Sequence, residues 1–449
     1  MAWLLDILYL LGLLFAAPVL AIKSLRTGKY RRDWSGRLGW VRPAIHQALA
    51  AGSSTPASRV LIHCVSVGEL LSTRRLVHEL RRRQPAIRII ISVTTDAGME
   101  RALTIYGSDG PGISIVRYPL DFSWAVRRFL KSLRPDLIVL TELETWPNFI
   151  SAAARQGAAI RVINGRMTQR SFFRYRLVRP LMTVMFRRIE CFGVQTPAIA
   201  ARFIALGALP DRVEVIPTLK FDAADFAVAV PGAETMAAAV GIAAEHALLV
   251  GGSIGLGEQK ALLECHAALR GRWPELRLAL APRQPHVWPR VITDVRRYGY
   301  RPVLRSERPD VSAAPVTPLR SDEVFVLDGM GELKKLYSLA RIVFSGRSLV
   351  KLGGSDMIEA AALGKPCCFG PYTFNFEQVV ELLLAADAAA LVHDTAELTR
   401  QVERWLADPA AAAALGRRAA AALIAQRGAT LRYAGQITAR LSMPAPQPR

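Results

Sequence analysis

The hydrophobic pattern opens on an apolar run over residues 3–22, interrupted by Asp6. As a helix rising ~1.5 Å per residue, a run of this length covers the ~30 Å hydrocarbon core of a bilayer. From about Ser58 the pattern changes. Short apolar runs at 60–67, 87–93, 137–140, 159–163 and 191–194 alternate with helical stretches such as 70–83. The alternation weakens over the Pro- and Ala-rich stretch 218–245. It restarts at 247–252 and continues at 276–280, 324–327, 342–344 and 366–369. Strands alternating with helices predict parallel α/β layers. Two such series with a connector predict two Rossmann-like domains facing a cleft, with ligands at the carboxyl ends of the strands. The boundaries expected are a membrane anchor at 1–22, a basic juxtamembrane segment at 23–57, an N-terminal domain at 58–230, a C-terminal domain at 231–435 and a tail at 436–449.

Charge sharpens the reading of the first run. Lys23, Arg26, Lys29, Arg31, Arg32, Arg37 and Arg42 follow it, opposed only by Asp33, and no basic residue precedes it. That order excludes an ordinary secretory signal peptide, and the positive-inside rule keeps the rest of the chain cytoplasmic. The helix is therefore expected to anchor the chain in the membrane, with Trp34 and Trp40 at headgroup level. Asp6 also suits a helix lying in the plane of the membrane. The formal net charge of +21 favours anionic partners without choosing among them. The five cysteines include no C-x-x-C pair, which argues against a disulfide framework or a structural zinc.

Candidate chemistry clusters at predicted strand ends. Ser66-Val67-Gly68-Glu69 places a carboxylate just past a strand, as a general base for an acceptor hydroxyl or as a helix-start acid. Glu142-Leu143-Glu144-Thr145-Trp146-Pro147-Asn148 puts two acids close enough to raise a pKa, or starts a helix with proline in its first turn. Lys220, in Thr218-Leu219-Lys220-Phe221-Asp222, suits a phosphate or carboxylate, or snorkels at the surface. In the second series, Gly251-Gly252-Ser253-Ile254-Gly255-Leu256-Gly257-Glu258 is a glycine-rich turn opening a helix. Such a turn presents backbone N–H groups to phosphate, and it lacks the Lys-Ser/Thr of a Walker loop. Pro282-Arg283, Asp328-Gly329-Met330-Gly331-Glu332, Ser345-Gly346-Arg347-Ser348, Gly353-Gly354-Ser355-Asp356-Met357-Ile358-Glu359 and Gly370-Pro371-Tyr372-Thr373-Phe374-Asn375-Phe376 follow. No D-x-D pair and no H-E-x-x-H is present, so a reaction without metal or cofactor is expected.

Together these segments resemble the 3-deoxy-D-manno-octulosonic acid (Kdo) transferases. Ser-Val-Gly-Glu, Glu-x-Glu-x-Trp-Pro-Asn, Leu-Lys-Phe-Asp, Pro-Arg, Met-Gly-Glu-Leu and Gly-Pro-x-x-x-Asn-Phe occur in the family's order behind an apolar N-terminus. The resemblance implies a GT-B fold and an inverting transfer of Kdo from CMP-Kdo to lipid IVA, a lipid A precursor. It places the base on Glu69 and transition-state stabilisation on Glu142 and Lys220. It places CMP contacts on Pro282 and Arg283, on Met330, Gly331 and Glu332, and on Asp356, Met357, Ile358 and Glu359. It implies partners in CMP-Kdo, the lipid acceptor and anionic inner-membrane lipid, and none in nucleic acid. Two departures stand out: Ser355-Asp356 replaces the family's His-Asn, and Ile254-Gly255 replaces Thr-His. An ionised Asp only accepts hydrogen bonds, so either Asp356 faces ribose or base, or the nucleotide is held differently. The alternatives are a GT-B enzyme with another nucleotide sugar, or a basic membrane-tethered binding module.

Arginines and aromatics also interleave over 170–188. Arg170, Phe172, Phe173, Arg174, Tyr175, Arg176, Arg179, Met182, Met185, Phe186, Arg187 and Arg188 predict a membrane-facing surface. In that scheme the anchor is a tether, and deleting 1–22 is expected to spare transfer to detergent-dispersed acceptor.

Overall fold

The apolar runs of the first series become a parallel sheet. In the computed structural model, which describes residues 2–27, 33–50, 57–107, 112–226, 229–308, 310 and 317–443, its strands are β1 (Arg59–Cys64), β2 (Arg88–Val93), β3 (Ile113–Arg117), β4 (Leu137–Thr141), β5 (Ala159–Gly165), β6 (Cys191–Val194) and β7 (Val213–Val215). The order is β3-β2-β1-β4-β5-β6-β7, and every pairing is parallel. β1 and β4 are covered on both faces, which is why they read as unbroken apolar runs. Leu61 packs to one side with Ile90, Phe129 and Ile138. Val60 and Ile62 pack to the other, with Leu76, Val77 and Leu80 of the helix Val67–Arg83.

The second series builds β8 (Ala247–Ile254), β9 (Leu276–Pro282), β10 (Arg301–Leu304), β11 (Glu323–Val326), β12 (Ile342–Ser345), β13 (Cys367–Phe369) and β14 (Ala390–Leu391). Their order is β10-β11-β9-β8-β12-β13-β14, again all parallel. Each sheet starts at its centre and grows outward in both directions. The strand order therefore reverses between β1 and β4 in one sheet, and between β8 and β12 in the other. Open α/β sheets bind ligands at such points.

The chain divides into two units, Met1–Ala223 with Arg427–Arg449 and Ala224–Gln426. The helix Ala429–Leu441 thus returns to the first sheet. Its Tyr433 hydroxyl accepts the Asn164 N–H at 3.0 Å. The Tyr433 ring lies where a Cβ at position 193 would be, so Gly193 is required there.

One expectation about the N-terminus is corrected. Among the described residues no helix is long and apolar enough to cross a membrane. The helix Ala2–Thr27 contains Pro18 and puts Asp6 and Tyr9 into hydrogen bonds with the first unit. Residues 33–50 pack against the first unit. Buried Arg117 pairs with Asp33 at 3.5 Å and Asp96 at 2.8 Å, and Arg37 reaches Asp96 at 3.5 Å. Lys29, Arg31 and Arg32 of the basic flank, and Pro444 to Arg449 of the tail, lie outside the described residues.

Candidate active site

In the first unit the two strand ends at the reversal carry the predicted acids. After β1, Ser66 caps the helix Val67–Arg83: its Oγ accepts the Glu69 N–H at 3.2 Å. Glu69 answers as the other half of a capping box. Its Oε1 accepts from Ser66 N (3.2 Å) and Ser66 Oγ (2.8 Å), and its Oε2 from Val65 N (2.8 Å). After β4, Glu142 holds φ 56°. This left-handed conformation is uncommon outside glycine, and strain of this kind clusters at functional sites.

Thr141 joins the two ends. Its Oγ1 lies 2.7 Å from both His63 O and Glu69 Oε2. A hydroxyl has one proton to give, so it serves one of these acceptors at a time. If it gives its proton to His63 O, it can accept one from Glu69. The pair is therefore satisfied whether the Glu69 carboxyl is charged or neutral.

Burial raises the Glu142 carboxyl above its ordinary pKa; Arg166 opposes the rise, Glu69 adds to it, and Lys220 opposes it. Glu144 is also raised by burial, against the Trp146 indole N–H it accepts at 3.0 Å, with Glu69 and Glu142 adding to the rise. The site thus gathers three acids and two cations. Sequence reading singled out Glu69, Glu142 and Lys220, and it missed Arg166. The signal was Asn164-Gly165-Arg166 at the end of β5. Asn164 sits at φ 54°, and its Oδ1 accepts from Leu219 N at 3.2 Å and Gln195 Nε2 at 3.1 Å. That fixes the start of the helix Leu219–Ala223, which carries Lys220.

In the second unit the reversal is braced by Glu258, a buried acid that sequence reading left without a role. Its carboxylate accepts Gly255 N (2.7 Å) after β8, and Arg347 N (2.5 Å), Ser348 N (2.7 Å) and Leu349 N (2.9 Å) after β12. Burial raises its pKa against those four bonds. Gly252 lies against the buried Tyr337 ring, where no Cβ would fit. Arg283 follows β9, exposed, with its N–H on Ile254 O at 3.2 Å. Burial and the charge of Arg283 both lower the Arg347 pKa, so the two guanidinium groups feel each other. Arg283, Asp356 and Glu359 all act on the Tyr337 hydroxyl. The strand ends therefore gather Arg283, Arg347, Asp356 and Glu359.

The remaining predicted contacts divide. Met330 is 70% exposed and Gly331 adopts φ 91°. Glu332 is held by Arg305 at 2.8 and 3.0 Å and by Lys335 at 3.0 Å, which lowers it to about 2. Pro282, Met357 and Ile358 are buried, so their side chains are core, and only their backbones are available to a ligand. Asp356 Oδ1 accepts the Ile358 N–H at 3.1 Å, a capping role at the helix Ile358–Ala362. Ser355 turns inward to Ser345 Oγ (3.1 Å) and Gly346 O (2.8 Å).

Residues 32–223 match a family model described as 3-deoxy-D-manno-octulosonic-acid transferase (kdotransferase). The curated 3-deoxy-D-manno-octulosonic acid transferase of Haemophilus influenzae is 27% identical over 419 residues, 92% of each chain. That of Bordetella pertussis is 29% identical over 391 residues, 85% of this chain and 88% of its own. Among solved structures, the UDP-GlcNAc 2-epimerase of Neisseria meningitidis, bound to UDP-GlcNAc, superposes with a TM-score of 0.59 at 15% identity. It covers 86% of this chain and 99% of the epimerase; at that identity the likeness speaks for the fold alone.

Proposed function

Because this chain is a relative of the Kdo transferases, we propose that it is an inverting glycosyltransferase moving Kdo from CMP-Kdo to lipid IVA in lipopolysaccharide core biosynthesis. The observation that carries the chemistry is the acid cluster at the reversal of the first sheet. Glu69 takes the proton of an acceptor hydroxyl. That oxygen bonds to the anomeric carbon of Kdo, whose bond to the CMP phosphate breaks, the electron pair leaving with the phosphate. Thr141 supports this role, since its hydroxyl complements Glu69 before and after proton transfer. Lys220 and Arg166 offset the acids and stabilise charge in the transition state.

The sugar donor falls to the second unit. Arg283 and Arg347 are two cations after β9 and β12, the strands that flank β8, suited to the CMP phosphate without a metal ion. Met330, Gly331, Asp356 and Glu359 line the same strand ends for ribose and base. Glu332 contributes through the Arg305 pair that holds its loop. A thermal-shift series with CMP, UDP and GDP tests this assignment. CMP is expected to raise the melting temperature most; a larger shift with UDP would overturn it.

We place the enzyme at the cytoplasmic face of the inner membrane, against anionic lipid. Trp3, Leu4, Ile7, Leu8, Leu11, Leu14 and Phe15 are exposed along the N-terminal helix, Phe15 by 82%, as suits a helix lying in the membrane plane. Phe173, Leu177 (85% exposed) and Val178 add to the apolar surface beside Arg174, Arg176 and Arg179. Met182, Met185 and Phe186 face the core, which removes them from the surface predicted from sequence. Replacing Arg174, Arg176 and Arg179 together by Ser is expected to raise the KM for lipid at low salt and leave that for CMP-Kdo unchanged. A normal lipid KM would refute the placement.

A further inference from the structure

Two helices flank the acid loop of the first unit, and both start badly. The helix Ser123–Leu133 has Phe122 at its N-cap, and the helix Pro147–Arg155 has Trp146 there; neither side chain makes a capping bond. The first turn of a helix leaves N–H groups without intrahelical partners, and buried ones need acceptors.

Those acceptors come from elsewhere in the chain. Asp121 Oδ1 accepts Phe149 N at 2.8 Å, and its Oδ2 accepts Asn148 N at 3.0 Å. The Asn148 side chain, 2% exposed, donates to Asp121 O at 2.6 Å and to Asp6 Oδ1 at 3.0 Å. Asp6 also caps the other helix, accepting Ser123 N at 2.8 Å and Ser123 Oγ at 2.6 Å. Tyr9 donates to Asp121 Oδ2 at 3.0 Å, with its ring edge-on to Phe122 at 6.1 Å. Leu5 lines a groove with Pro147 and Asn148. Tyr9 stands about a turn after both Leu5 and Asp6, so the three share one face of the N-terminal helix.

Asn148 stands directly after the loop carrying Glu142 and Glu144. One end of that loop is fixed by β4, and the other by this clamp. We propose that Asp6 and Tyr9 are positioning residues for the acid loop, so that the N-terminal helix is a working part of the first unit and not a detachable tether. Its effect on turnover rests on the transfer reading above, with Glu142 in the reaction; the clamp itself does not.

The test uses the full-length protein in detergent, which removes any effect of membrane recruitment. Amide hydrogen exchange is followed at 142–149, and kcat and KM are measured with dispersed acceptor. Asp6→Ala is expected to speed exchange at Asn148 and Phe149 and to lower kcat roughly tenfold or more, since small displacements of reacting groups cost that much. The KM for CMP-Kdo should stay within about twofold, because the sugar donor falls to the other unit. Asp6→Asn, which keeps an acceptor for Ser123 N, should recover part of the loss. Tyr9→Phe keeps the ring contact and removes one bond, so it gives a smaller change in the same direction even if Asp6→Ala fails to fold. Unchanged exchange at 148–149 in both Asp6→Ala and Tyr9→Phe would refute the clamp, whatever sugar the enzyme moves. Faster exchange with normal kcat would refute the positioning role. A wild-type protein that transfers no sugar would instead refute the transfer reading.

Discussion

Both units have a strand-order reversal beside the first strand of their sheet, and they load it with opposite chemistry. In the first, acids meet where β1 and β4 part, and burial pushes Glu142 and Glu144 up in pKa. In the second, the acid at the equivalent point, Glu258, is bound by four backbone N–H groups, and the side chains left beside it are Arg283 and Arg347. A carboxyl whose charged form is disfavoured by burial suits proton transfer. A carboxylate locked by N–H groups shapes the backbone, and guanidinium groups at the strand ends suit a phosphate. In the proposed reading the same fold thus separates chemistry from binding of the sugar donor.

The sharpest way to break that division is Glu69→Gln. It keeps size and removes basicity, so turnover should fall by ~10²-fold or more with CMP-Kdo binding little changed. Near-normal turnover would move the base to Glu142 or Glu144. On the other side, Arg347→Ala should raise the KM for CMP-Kdo roughly tenfold, the scale of a lost charge-assisted bond, and leave the lipid KM alone. A fall in kcat alone would erase the distinction between the units.

Thr141→Val is a milder probe. It removes the hydroxyl that serves Glu69 in both protonation states, and should cost several-fold in kcat and shift the pH–rate profile. Thr141→Ser should restore both. A Val variant with an unaltered profile would leave Thr141 a purely structural link.

The smallest effect is in stability against pH. Burial raises Asp121 from 3.8 to about 6. A raised folded pKa contributes stability that is full below the ordinary value and is lost as pH rises through about 6. Glu332, lowered to about 2 by Arg305, does the reverse: its contribution is present above the ordinary carboxyl range and is lost as pH falls toward 2. Urea midpoints should therefore show Asp121→Asn removing a loss of stability between pH 4 and 6. Glu332→Gln should act only on the acid limb. Identical slopes in both variants would contradict the contrast between the units.

Much of the fold was legible in the sequence, because buried parallel strands are continuous apolar runs and β1, β4 and β8 are covered on both faces. The edge strands β3, β7, β10 and β14 carry weak patterns and escaped. The return of residues 429–441 to the first sheet was also hidden, since the pattern of a single helix does not say which unit it packs on. At the candidate site, Glu69 and Glu142 stood out from their places after strands, and Lys220 from the connector. Arg166 was missed although it follows β5, and Glu258 was hidden because its partners depend on which strand ends lie side by side. The apolar run at 3–22 misled most. Its hydropathy fitted a spanning helix, yet Asp6 and Tyr9 were placed at helical spacing for partners near 121–148, which no local pattern reveals.

The central claim, Kdo transfer, is tested most directly by incubating the purified wild-type protein with CMP-Kdo and lipid IVA in detergent and weighing the lipid by mass spectrometry. The account predicts lipid heavier by one or more Kdo residues, with CMP released. Unchanged lipid beside intact CMP-Kdo, under conditions where a UDP- or GDP-sugar is consumed, would contradict it.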